Sequence, residues 1–125
     1  MNSKSSSFGP HLIIEASGCS KKILDVETVR RFLENAVKRL KLTKISEPFV
    51  EYYDLGKWNK GVSGIILISE SHITIHSFIK DGWIFADVFS CKEIDNKTFE
   101  GMVRKEFKPK RMESTYLRRG KGFKR

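Results

Sequence analysis

The chain has 125 residues, with 24 Lys and Arg against 15 Asp and Glu and a formal net charge of +9. That length suits one domain with a modest two-layer core, and no run of about 20 apolar residues is present to span a membrane. Two cysteines and three histidines lack CxxC or HExxH spacing, so no metal is expected.

The charge is unevenly placed. From Arg104 to Arg125 ten Lys and Arg face two acids, which accounts for +8 of the +9 and leaves residues 1–103 near neutral. Such a basic end reads first as a solvated tail, with contact to nucleic acid or an acidic partner as the rival. The start, MNSKSSSFG, has no apolar signal-peptide centre, which gives a cytoplasmic expectation and two free thiols, Cys19 and Cys91.

In chain order, residues 1–9 are Ser-rich and expected to be flexible, and Gly9-Pro10 marks the break into structure. HLIIEA, residues 11–16, reads as a first strand. Asp25 is placed to cap a helix over Val26–Leu40, whose apolar stripe is Val26, Val29, Leu33, Ala36, Val37 and Leu40. Ile45–Tyr53 reads as a second strand, and Pro48 near its start favours an edge. The loop DLGKWNK, residues 54–60, carries an exposed-looking Trp58. Asp95 is placed to cap a second helix over Asn96–Phe107 with Phe99, Met102, Val103 and Phe107 on one side. Pro109 ends it, Arg111–Leu117 reads as a last strand, and about 118–125 are expected to be flexible. The predicted class is α+β, a two-layer sandwich with a largely antiparallel sheet and two helices on one face, in the order β-α-β-β-β-α-β within a single domain, 1–125.

The informative stretch is GVSGIILISESHITIHSFIKDGWIFADVFSC, residues 61–91. Val62 and Ile65–Ile68 are too β-branched to favour a helix. After Ser71 the pattern has period two, with His72, Thr74, His76 and Phe78 on one face and Ile73, Ile75 and Ile79 on the other. Asp81-Gly82 predicts a two-residue hairpin turn, because a type I′ turn needs positive φ at both positions. That register opposes Lys80 to Trp83, His76 to Asp87, Thr74 to Phe89 and His72 to Cys91. One face then carries His72, Thr74, His76, Asp87 and Cys91 among aromatic rings, and the other suits packing under helices.

A serine near histidines and an aspartate invites a hydrolase reading through Ser71, His76 and Asp87. No GxSxG elbow supports it. The plainer reading is that these polar groups decorate a solvent-facing sheet.

Gly61-Val62-Ser63-Gly64, Ser69-Glu70-Ser71-His72-Ile73-Thr74-Ile75-His76 and Asp87-Val88-Phe89-Ser90-Cys91 resemble, in order and spacing, the motifs of the short prokaryotic S-adenosylmethionine decarboxylases. Weaker likeness extends over residues 9–107. The resemblance implies a self-processing enzyme with a covalent pyruvoyl group. It assigns Glu70-Ser71 as the cleavage site, giving a β chain, 1–70, and an α chain, 71–125. Ser71 becomes the pyruvoyl precursor and Schiff-base former, His76 the processing base and Ser63 its helper, and Cys91 the proton donor. The implied product is the aminopropyl donor for spermidine synthesis, and the implied unit is a homodimer of processed protomers, (αβ)2. His11, His72 and Cys19 receive no catalytic task.

The chain departs from the family pattern at Ser77-Phe78-Ile79-Lys80, where Thr-Trp-Pro-Glu is usual, at Gly56–Lys60, and at Cys91-Lys92, where Cys-Gly is usual. Phe78 and Trp58 are the candidates for substrate contact. Because these changes touch the substrate pocket, ornithine or arginine stands as an alternative substrate for the same pyruvoyl chemistry. A basic nucleic-acid-binding module, uncut at Ser71, is the rival of a different class; nucleic acid is not the expected partner.

Overall fold

The computed structural model of the chain describes residues 7–124. Its elements are β1 (Gly9–Ser17), α1 (Val26–Arg39), β2 (Phe49–Asp54), β3 (Lys60–Ile68), β4 (Ser71–Phe78), β5 (Trp83–Phe89), α2 (Asn96–Phe107) and β6 (Arg111–Arg119). The six strands form one sheet in the order β2-β3-β4-β5-β1-β6, antiparallel at every pairing. The expected alternation of strands and helices holds, with four strands between the helices once the hairpin's arms are counted separately. Among the described residues no helix is long and apolar enough to cross a membrane.

The helices form where the capping residues place them. The Asp25 carboxylate accepts the backbone N–H and the hydroxyl of Thr28, at 2.9 and 2.6 Å, which satisfies one of the donors a helix start leaves open. Asp95 does the same for Lys97 N–H at 3.0 Å. α2 stops at Lys108, which takes a left-handed conformation just before Pro109. Both apolar stripes turn onto one face of the sheet. Val29, Phe32, Leu33, Ala36 and Val37 of α1 and Phe99, Met102, Val103 and Phe107 of α2 are buried there. Against them lie Leu12, Ile14, Val62, Ile66, Ile73, Ile75, Ile84, Ala86 and Val88. Phe32, which the predicted stripe omitted, joins the helices by packing on Phe99 and Phe107 at 5.7 and 5.0 Å between ring centres.

The hairpin register is a correction. The turn spans four residues, Ile79–Gly82, so Phe78 opposes Trp83, His76 opposes Phe85, Thr74 opposes Asp87 and His72 opposes Phe89. Asp81 and Gly82 do take positive φ, 55° and 59°. Within the loop Gly82 N–H donates to Ile79 O at 3.3 Å, while Ile79 N–H continues the β3–β4 pairing to Lys60 O at 2.9 Å. Asp81 O and Gly82 O in turn accept from Gly18 and Cys19 N–H. The slip is two residues, so the side chains that remain paired keep their predicted faces, while Ile79 leaves the strand for the turn.

Other boundaries moved less. Residues 44 and 45 pair with the end of β3, by an Ile45 N–H to Leu67 O bond of 2.9 Å and a bridge of Lys44 to Ile68; β2 therefore begins only after Pro48, as an edge. β1 already starts at Gly9, while residues 1–6 of the segment expected to be flexible lie outside the described residues. β6 runs to Arg119, two residues beyond the predicted strand. Arg118 makes a two-pronged ion pair with Glu93, at 3.0 and 2.6 Å, and Arg119 stacks over the Phe89 ring at 4.0 Å. Part of the basic end is thus committed to the fold.

Candidate active site

Ser69 and Glu70 form a two-residue turn between β3 and β4, closed by the pairing of Ile68 with Ser71. The Glu70–Ser71 bond therefore sits at a hairpin corner with Glu70 exposed. The Ser71 hydroxyl is buried and has no hydrogen-bond partner among the described residues. A hydroxyl in that state is destabilised by about 1–3 kcal/mol, and an unsatisfied buried group in a native fold calls for an explanation. Cys91, just beyond β5, reaches the same corner: its thiol lies 3.5 Å from Ser69 O. The corner is strapped from outside by the α1–β2 connection, through Ser69 N–H to Thr43 O at 2.9 Å and Leu67 N–H to the Ser46 hydroxyl at 3.0 Å.

Ser63 and His76 are directly opposed in the β3–β4 ladder, and Ser63 Oγ lies 2.8 Å from His76 Nδ1. This predicted pair is together, but it is not beside Ser71. Five residues of extended strand separate Ser71 from His76, roughly 16 Å. Cys91, past the end of β5, and His76, in β4, lie towards opposite ends of the sheet. Phe78 belongs to the His76 end, with its ring 5.6 Å from Phe85, and Phe85 stacks on Trp83 at 5.4 Å and 11°. Trp58 is exposed at the tip of the β2–β3 connection, also at that end.

A cluster that the residue pattern left without a catalytic task lies at the Ser71 end. Asp87 Oδ2 is 2.6 Å from His11 Nε2 and 3.0 Å from His72 Nε2, and the Thr74 hydroxyl donates to Asp87 Oδ1. Burial alone pushes the Asp87 carboxyl up, but the hydrogen bonds from Thr74, His11 and His72 outweigh it and hold the group below its ordinary value. Asp87 thus joins His11 and His72 and not His76, which removes the hydrolase triad. The outward parity of His72, Thr74 and Asp87 was legible; that β1 lies beside β5, and so brings His11 to them, was not. Cys19, by contrast, packs against the core, and burial pushes its thiol up to about 11.

The arrangement therefore offers a buried, unpaired hydroxyl next to a peptide bond it can attack, a thiol at the same corner and a serine–histidine pair at the far end of one face. The model of the family described as S-adenosylmethionine decarboxylase matches residues 10–120. The chain belongs to the S-adenosylmethionine decarboxylase family. A curated S-adenosylmethionine decarboxylase proenzyme from Persephonella marina is 38% identical over 116 residues, covering 90% of this chain and 83% of that one. One from a Sulfurihydrogenibium species is 36% identical with the same coverage. The crystal structure of the adenosylmethionine decarboxylase from Aquifex aeolicus superposes with a TM-score of 0.74 at 32% identity, over 91% of this chain and 92% of that one. For a member of the S-adenosylmethionine decarboxylase family, an unpaired serine hydroxyl at a hairpin corner is the feature around which the remaining residues can be given work.

Proposed function

We propose that this chain cuts itself between Glu70 and Ser71 and then, as a member of a decarboxylase family, removes carbon dioxide from S-adenosylmethionine. The observation that carries the reading is the buried Ser71 hydroxyl without a partner. Its oxygen adds to the Glu70 carbonyl and takes the acyl group from nitrogen, turning the peptide into an ester. Loss of the Ser71 α-proton then expels the Glu70 carboxylate and leaves a dehydroalanine. Water replaces its nitrogen, which departs as ammonia, and residue 71 ends as a pyruvoyl group. The orphaned oxygen fits this fate, since the rearrangement consumes the group the fold leaves unsatisfied. Once formed, the pyruvoyl ketone supplies an electron sink for a substrate amine as carbon dioxide leaves.

The remaining residues follow by position. Cys91, next to the corner, is placed to return a proton to the substrate α-carbon. His76, with Ser63 fixing its Nδ1, is the base for the α-proton of Ser71, leaving Nε2 as its reactive nitrogen. Within one chain that pair is too far from Ser71. The outer face resolves the difficulty, because it leaves Phe49, Leu67, Phe85 and Leu117 exposed, an apolar face that calls for a cover. A second copy related by a two-fold axis that lies between the two outer faces, across the strands, sets the Ser71 end of one sheet over the His76 end of the other. Each site of the homodimer, (αβ)2, then takes Ser71 and Cys91 from one protomer and Ser63 and His76 from its partner. Phe78, Phe85 and Trp83 would cross over with that pair and offer ring faces to an adenine.

The cited relatives' names point to S-adenosylmethionine and not to ornithine or arginine, so that product, an aminopropyl donor, is the expected one. Intact mass decides the central step. Purified wild type is expected as two fragments, 1–70 and 71–125, the second lacking its N-terminal amine, whereas Ser71→Ala stays one uncut chain. A wild-type chain that remains whole on long incubation removes the reading.

A further inference from the structure

The His11–Asp87–His72 cluster takes no part in the steps above, yet it sits one residue from the reacting position. We propose that Asp87 is a positioning residue, tying down the end of β4 once the Glu70–Ser71 bond has gone. The inference rests on the proposed function. Before cutting, Ser71 is held by its peptide bond; afterwards residue 71 is a chain end, and His72 is the first ordinary residue. Chain ends fray unless anchored, and displacing a reacting group by about 1 Å can cost a factor on the order of 10² in rate.

The anchor is visible in the geometry. His72 Nε2 lies 3.0 Å from Asp87 Oδ2. Asp87 is itself set by the Thr74 hydroxyl on its other oxygen and by His11 at 2.6 Å. The two imidazoles flank Phe89, with ring centres 5.3 and 5.9 Å away. One carboxylate thus fastens β4 both to β5 and to β1, and β1 belongs to the other fragment after the cut. The two imidazoles, each through Nε2, and the Thr74 hydroxyl together satisfy the carboxylate. The alternative is a divalent metal, since the three ligand atoms lie within 4.8 Å of one another. Donors sharing one tetrahedral zinc ion sit roughly 3.3 Å apart; the 2.6 Å separation of His11 and Asp87 is that of a direct hydrogen bond.

Three variants test the proposal: Asp87→Asn, His72→Ala and His72→Gln, the last keeping a side-chain N–H donor of similar reach. All three are expected to be cut like wild type. With S-adenosylmethionine, kcat should fall about tenfold or more in Asp87→Asn and His72→Ala, with KM within threefold. His72→Gln should recover to within threefold of wild type. Amide exchange at Ile73 should quicken in the two impaired variants. Wild-type kcat in Asp87→Asn or His72→Ala would overturn the proposal, as would His72→Gln no better than His72→Ala. So would an uncut Asp87→Asn chain, which would move the cluster to processing, or one equivalent of zinc bound by wild type and lost in Asp87→Asn. An uncut or inactive wild type would instead bring down the proposed function itself.

Discussion

At the residue scale the chemistry is divided between groups that react and groups that hold. Cys91 is assigned to proton return alone, so Cys91→Ala should still be cut into two fragments while turnover falls by about 10²–10⁴-fold, the usual worth of a positioned acid. Mass spectrometry and a carbon dioxide release assay on the same preparation separate the two outcomes; an uncut Cys91→Ala chain would place the thiol in processing. Asp87 makes a stability prediction with a definite sign. Its carboxyl is held below the ordinary aspartate value in the fold, so it stabilises the folded chain at neutral pH, and that contribution fades as the pH falls through its lowered value. Urea midpoints of wild type and Asp87→Asn should therefore differ at pH 7 and converge below about pH 4. A gap that persists at low pH would mean that the carboxylate's charge is not what Asp87 contributes.

At the element scale, the paired strands decide what is near what. Gly61 shows how tightly β3 and β4 are laid together: a Cβ there would fall 1.9 Å from Ser77 O and 3.0 Å from the Tyr53 hydroxyl. Gly61→Ala must push the strands apart at the base of the Ser63–His76 pair. It should cost about 1–3 kcal/mol, as overpacking does, and lower the urea midpoint; an unchanged midpoint would contradict the close approach. Much of this layer was legible in the sequence. Asp25 and Asp95 announced both helices, and period-two alternation sorted Ile73, Ile75, Ile84 and Val88 from His72, Thr74, His76 and Asp87. The hairpin turn was misjudged because a local signal, Asp81-Gly82, competes with partners that sequence does not name, the Gly18 and Cys19 N–H groups that hold Asp81 O and Gly82 O. The tighter turn, Ser69-Glu70, carries none of the Gly, Asn or Asp that mark such corners. The cluster on Asp87 stayed hidden because it needs β1 beside β5, a pairing of strands far apart in the chain, such as Ile13 with Asp87.

At the scale of the whole molecule, the distance between Ser71 and His76 becomes an assembly prediction. Mixing Ser71→Ala with His76→Ala protomers creates dimers in which one site holds an intact Ser71 opposite an intact His76. The His76→Ala chain should then be cut in the mixture, although neither variant is cut efficiently alone; intact mass against time follows it. Failure to cut in verified mixed dimers would require His76 to reach Ser71 within its own chain.

The position of β1 carries one more consequence. It runs between β5 and β6, so under the proposed cut the amino-terminal fragment would be threaded through the carboxyl-terminal one like a tenon in its mortise. Severing the backbone at the hairpin corner leaves that joint whole, and the halves part only if the sheet is pulled open on both sides of β1. Under the proposed cut the same joint would set an order of events: β1 would be seated while the polypeptide is still continuous, and the chain would be severed only after it had folded.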